Sequence, residues 1–89
     1  MQIAEVPITN KLGLHARASA KLVQAASRFR CNVSIIAKGR TASARSILAV
    51  MLLSASVGTT IRLEIDGLDE VSAMQEISTL IRDGFGERS

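Results

Sequence analysis

The chain has no tryptophan and no tyrosine, and it has one histidine, one proline and one cysteine. Phe29 and Phe85 are its only aromatic side chains, so the core is expected to be built from Ile, Leu, Val, Met and Ala. With Cys31 alone, no intrachain disulfide can form, which fits a reducing compartment. The opening residues lack the basic, then apolar, pattern of a secretory leader. The longest near-apolar run, residues 47–55, is broken by Ser54 and falls far short of the ~20 residues that span a bilayer. A cytoplasmic protein without membrane insertion is therefore expected. One His and one Cys are too few for a metal site, and no phosphate-binding Gly-rich loop is present. No candidate strand carries an aromatic ring on which a base could stack, so no nucleic-acid partner is expected. A Cys31–His15 nucleophilic pair lacks any surrounding motif.

What is present is a chain of 89 residues, 47% of them apolar, expected to fold as one domain over 1–89. Charge is segregated. Residues 1–45 hold eight Lys and Arg against Glu5 alone, whereas residues 46–89 hold three against seven Asp and Glu. A basic half fits either an acidic partner or anionic group, or simply a solvated surface.

Periodicity outlines the elements. Residues 2–8 alternate, with Ala4, Val6 and Ile8 on one side and Pro7 marking an edge or strand end. "TNKLG" is a turn. Residues 16–27 read as a helix whose stripe is Ala16, Ala20, Val23 and Ala26, widened by Leu22. Strands follow at 31–37 and about 40–43, joined by "KGR". Residues 46–54 read as a helix, apolar nearly all round, with Ser46 as N-cap and Val50, Leu52 and Leu53 inward. Residues 60–66 alternate cleanly, and residues 69–82 form an amphipathic helix on Val71, Met74, Ile77, Leu80 and Ile81, stopped at Gly84. The order β-α-β-β-α-β-α predicts an α+β domain with helices on one face of an antiparallel sheet.

The stretch "GLHARASAKL" places His15 where a turn becomes a helix. Histidine is a poor N-cap, so helix stability does not account for it. The first helical N–H groups, Ala16 and Arg17 among them, have no internal partner and face positive potential, which suits a phosphate. Arg17 opposes the dipole but would add charge-assisted bonds to an anion. The same potential disfavours imidazolium and leaves a ring nitrogen free as a nucleophile. Lys21, one turn on, reads as a solvated cation.

The segment "NKLGLHARASAKL" resembles the active-site segment of the HPr family, the histidine-containing phosphocarriers of the phosphoenolpyruvate-dependent phosphotransferase system. "ARSILAVMLLSASVGTTIRLEIDG" is similar to the family's regulatory-serine helix and the strand after it, and "DEVSAMQEISTLIRDGFGE" to its final helix. The resemblance implies an open-faced β-sandwich, with three helices on a four-stranded antiparallel sheet, working as a monomer. It implies a carrier rather than an enzyme, without cofactor. His15 would take a phosphoryl group on Nδ1 from phosphorylated enzyme I and pass it to EIIA-type domains, with Arg17 neutralising the phosphate. Ser46 would be the site of HPr kinase/phosphorylase in bacteria that have it, and Lys21, Ile47, Leu48 and Met51 would serve docking. An alternative is a regulatory interaction module of the same system, including its nitrogen-linked branch, which needs no His15 chemistry. Two positions depart from the family pattern. Ala18 stands where many members have Pro, and Ala49 stands where many have Gly.

Overall fold

The computed structural model describes residues 1–87. Strands β1 (Gln2–Pro7), β2 (Cys31–Ala37), β3 (Arg40–Ser43) and β4 (Thr60–Gly67) form one antiparallel sheet in the order β1-β4-β2-β3. Helices α1 (Ala16–Ser27), α2 (Ile47–Leu52) and α3 (Glu70–Arg82) cover one face. A short 3-10 turn, Gly84–Gly86, follows α3. The alternation seen in the sequence sets the register. Val6 faces Ile61, Val33 faces Ile65 and Ile35 faces Leu63, all buried on the helix-covered side. Arg62 and Glu64 stand on the open face as an ion pair at 2.9 Å. β1 is an edge strand and Pro7 its last residue, so its missing N–H removes no ladder bond from the interior.

Four expectations are corrected. First, Phe85 belongs to the core, 1% exposed and among its largest side chains, while Met51 and Met74 are only partly buried. Second, α1 is rotated from the expected stripe: Ala18, Ser19, Leu22, Ala25 and Ala26 are buried, whereas Ala16 is exposed and Ala20 and Val23 sit at the margin. Ser19 tolerates burial because its hydroxyl donates to Leu14 O at 3.1 Å. Third, α2 is shorter than 46–54 and buries Val50, with Leu53 just past its end, but leaves Leu52 exposed. Six residues make less than two turns, so only one narrow face reaches the sheet. Fourth, Val71 on α3 is exposed, and Ala73 and Ser78 join Ile77 and Ile81 inside. Cys31 is buried at the start of β2, where desolvation pushes its thiol pKa up. Gly67 passes over it with φ +154, where a Cβ would lie 2.5 Å from that of Cys31.

Candidate functional site

The connection from β1 to α1 is built by close backbone contact. Leu14 N–H donates to Ala55 O at 2.9 Å in the loop that follows α2. Gly13 has φ +65, and a Cβ there would meet Ala55 O at 2.4 Å. Both handedness and space therefore demand glycine. Asn10 closes the turn from within: its backbone carbonyl accepts from Gly13 N–H at 3.1 Å, and its side-chain amide donates to Gly13 O at 2.8 Å.

This turn delivers His15 to the N-cap of α1 in an extended conformation, φ −75 and ψ −179. Its carbonyl accepts the first helical bond, from Ser19 N–H at 2.9 Å. Its side chain makes no capping bond, so the ring is not occupied with the helix end. Instead, Nε2 of His15 lies 2.6 Å from Oε2 of Glu87. The other carboxylate oxygen of Glu87 accepts from the Asn10 amide at 3.0 Å. That bond, together with the His15 ring and the nearby Lys21 charge, holds the Glu87 carboxyl below the usual carboxylate range against a smaller opposing cost of burial.

Lys21 is not the freely solvated cation expected. Its Nζ donates to Phe85 O at 2.7 Å, tying α1 to the C-terminal turn. His15, Ala16, Arg17 and Lys21 line a surface depression of about 610 Å³, with Leu12, Gly86 and Glu87 completing its walls. Cys31 does not line it. Arg17 is exposed at the depression, beside the first-turn N–H groups that the His15 side chain leaves uncapped.

Ser46, Ile47, Leu48 and Met51 do not line this depression but belong to α2, which packs against α1. Ser46 is the N-cap, its Oγ accepting from Ala49 N–H at 3.1 Å, and its side chain is exposed. Ile47 and Leu48 are exposed and Met51 half-buried, so α2 presents an apolar surface. Ala18 is wholly buried, while Ala49 packs its methyl partly against the core.

Two contributors to the site were missed in the sequence. Glu87 reads there as one more acid in an acidic half, and Asn10 as a turn former. Neither lies on a periodic face, and the partners of Glu87 are more than seventy residues away. The one local signal is Gly-Phe-Gly at 84–86, an apolar anchor between two residues suited to left-handed backbone.

A family model described as PTS HPr component phosphorylation site matches residues 3–83. The chain belongs to the HPr family. It is 57% identical over 83 residues to the phosphocarrier protein HPr of Xylella fastidiosa, covering 93% of each chain. It is 51% identical over 83 residues to that of Cupriavidus necator, again covering 93% of each. Its fold superposes on a crystal structure of HPr from Thermoanaerobacter tengcongensis with a TM-score of 0.94, at 36% identity and complete coverage of both chains. Membership makes it a phosphocarrier of the phosphotransferase system. The α+β architecture expected from the element order is the one observed.

Proposed function

We propose that this chain carries a phosphoryl group on Nδ1 of His15, accepting it from phosphorylated enzyme I and donating it to EIIA-type domains. The observation that carries the reading is the placement of the ring at the N-cap of α1 with Nε2 already engaged by Glu87. Nδ1 is then the nitrogen left to attack phosphorus. The Nδ1 lone pair forms the N–P bond as the donor's bond to phosphorus breaks and its electron pair leaves with the donor. The backbone N–H groups of Ala16 and Arg17 would bind the phosphate oxygens at the positive end of the helix. The Arg17 guanidinium would neutralise the remaining charge. The transfer out is the reverse step with an acceptor base in place of the donor. No metal or cofactor enters this scheme.

Docking is assigned to Ile47, Leu48 and Met51 on α2, with Lys21 at the border of the depression. An apolar surface beside basic residues fits an acidic-rimmed partner. Ser46 is exposed at the entrance of that helix, so a phosphate added by HPr kinase/phosphorylase would place negative charge inside the docking surface. We assign the whole of 1–89 to one such domain, acting as a monomer in the cytoplasm.

The test is intact-mass spectrometry after incubation with phosphoenolpyruvate and enzyme I. Wild type should gain one acid-labile phosphoryl group and His15→Ala none. Equal loading of the variant, or no loading by an enzyme I active on another carrier, rejects the assignment.

A further inference from the structure

We propose that Asn10 is a positioning residue for phosphoryl transfer. Its buried amide holds the Gly13 carbonyl, and through it the angle at which the His15 ring and the first N–H groups of α1 meet a partner. The inference rests on the carrier reading above and deepens it.

Gly13 and Leu14, the two residues before the ring, have all four main-chain polar groups paired. Gly13 N–H donates to Asn10 O at 3.1 Å, and Gly13 O accepts from Asn10 Nδ2 at 2.8 Å. Leu14 N–H donates to Ala55 O at 2.9 Å, and Leu14 O accepts from Ser19 Oγ at 3.1 Å. Ser19 belongs to α1 and moves with it. Ala55 grips from the loop after α2. Asn10 supplies the other two bonds and ties the approach to the end of β1.

The amide can face only one way. Nδ2 meets two acceptors, Gly13 O and, at 3.0 Å, Glu87 Oε1. Turned over, Oδ1 would face both of them, acceptor against acceptor. The orientation leaves Oδ1 buried with no hydrogen-bond partner among the described residues, in a side chain that is 3% exposed. An unpaired buried acceptor works against stability. The turn itself does not require the amide, because the bond from Gly13 N–H to Asn10 O already closes it. What the amide adds is a fixed direction for the Gly13 carbonyl.

Asn10 is also a stiff point of reference. Ile8 is 1% exposed, its N–H donating to Thr59 O and its carbonyl accepting from Gly58 N–H, each at 2.9 Å. Thr9 Oγ1 donates to Arg82 O at 3.2 Å, at the end of α3. The amide therefore carries the position of the sheet and of α3 to the peptide that leads into Leu14 and His15. Placement is most of what a phosphoryl carrier can contribute, since the attacking nitrogen, phosphorus and leaving group must come into line. Rotation of the peptide after Gly13 would turn the ring, and the N–H groups of Ala16 and Arg17 with it. Docking on α2 does not depend on that angle.

The experiment measures steady-state loading of the full chain by enzyme I and phosphoenolpyruvate for Asn10→Asp and Asn10→Ala. The first substitution keeps the shape of the side chain without its N–H donors, and the second removes it. Thermal unfolding checks folding, and either variant that folds decides. Ile77→Val, in the buried face of α3, is the control for a loss of stability alone. Loading kcat should fall roughly tenfold in the Asn10 variants while KM for the carrier stays at the wild-type value. Ile77→Val should load normally. Amide shifts from Gly13 to Arg17 should move in the Asn10 variants, and those of α2 should not. A wild-type kcat in the Asn10 variants, an equal fall in Ile77→Val, or a change confined to KM overturns the positioning role. If wild type itself takes no phosphoryl group, the carrier reading fails. Unmoved shifts at His15, Ala16 and Arg17 then overturn the hold of Asn10 on the turn as well, whereas moved shifts uphold it.

Discussion

Gly13 and Ser46 each do one local task on which a larger element depends. Replacing Gly13 by Ala forces a Cβ into left-handed backbone and against Ala55 O. The expected loss is about 2 kcal/mol or more, read by urea unfolding, with His15 loading reduced because the turn before it must shift. Ser46→Ala removes the cap on Ala49 N–H and should cost about 1 kcal/mol in the same assay. It should leave loading of His15 intact, because α2 does not line the depression. Residue type alone was informative at both positions. Glycine before a histidine marked the turn, and serine before an apolar run marked the helix start. The companion of His15 was not legible. A carboxylate at position 87 has no spacing that points to a ring at 15.

The elements themselves were readable, but the faces they bury were less so. α1 is rich in alanine, and several stripes at spacings of three and four are nearly equivalent in it. Packing in the core, alongside α2 and α3, selected the stripe through Leu22, its one fully buried large side chain. Leu22→Ala should therefore cost about 2–5 kcal/mol in thermal or chemical unfolding. α2 has the opposite ambiguity, being apolar on every side, so periodicity cannot say which leucines face out. Leu48 and Leu52 are the exposed ones. Leu48→Ser and Leu52→Ser should change stability by less than about 0.5 kcal/mol. The Leu48 variant should nonetheless weaken transfer from enzyme I, seen as a raised KM for the carrier with loading still complete.

Across the whole molecule, the first and last described residues, Met1 and Glu87, are held to the fold by charge. The N-terminal amine pairs with Glu70 at 2.7 Å and Asp66 at 3.4 Å, joining β1 to the start of α3. The hydrogen bond from the amine, then that from Gly67 N–H, holds the Glu70 carboxyl below its ordinary pKa, as the Asn10 and His15 bonds do for Glu87. What these acids contribute is present above the ordinary carboxylate pKa and is lost as pH falls through their lowered values. Glu70 in turn raises the pKa of the amine. That contribution is complete below the ordinary amine pKa and is lost as pH rises through the raised one. Urea unfolding across pH should show a plateau with both shoulders, and acetylating the amine should weaken the alkaline one, leaving the part that the raised pKa of the buried Cys31 thiol adds. By itself the sequence determined the α+β class, the strand alternation that fixes register, and the helix terminus that can receive a phosphate. All three follow from short-range periodicity, backbone propensity and unpaired N–H groups. Only the tertiary structure decided the buried face of α1, the entry of Phe85 into the core and the meeting of Glu87 with His15. Those depend on which distant surfaces close on one another, and no local pattern encodes a contact between residues more than seventy positions apart.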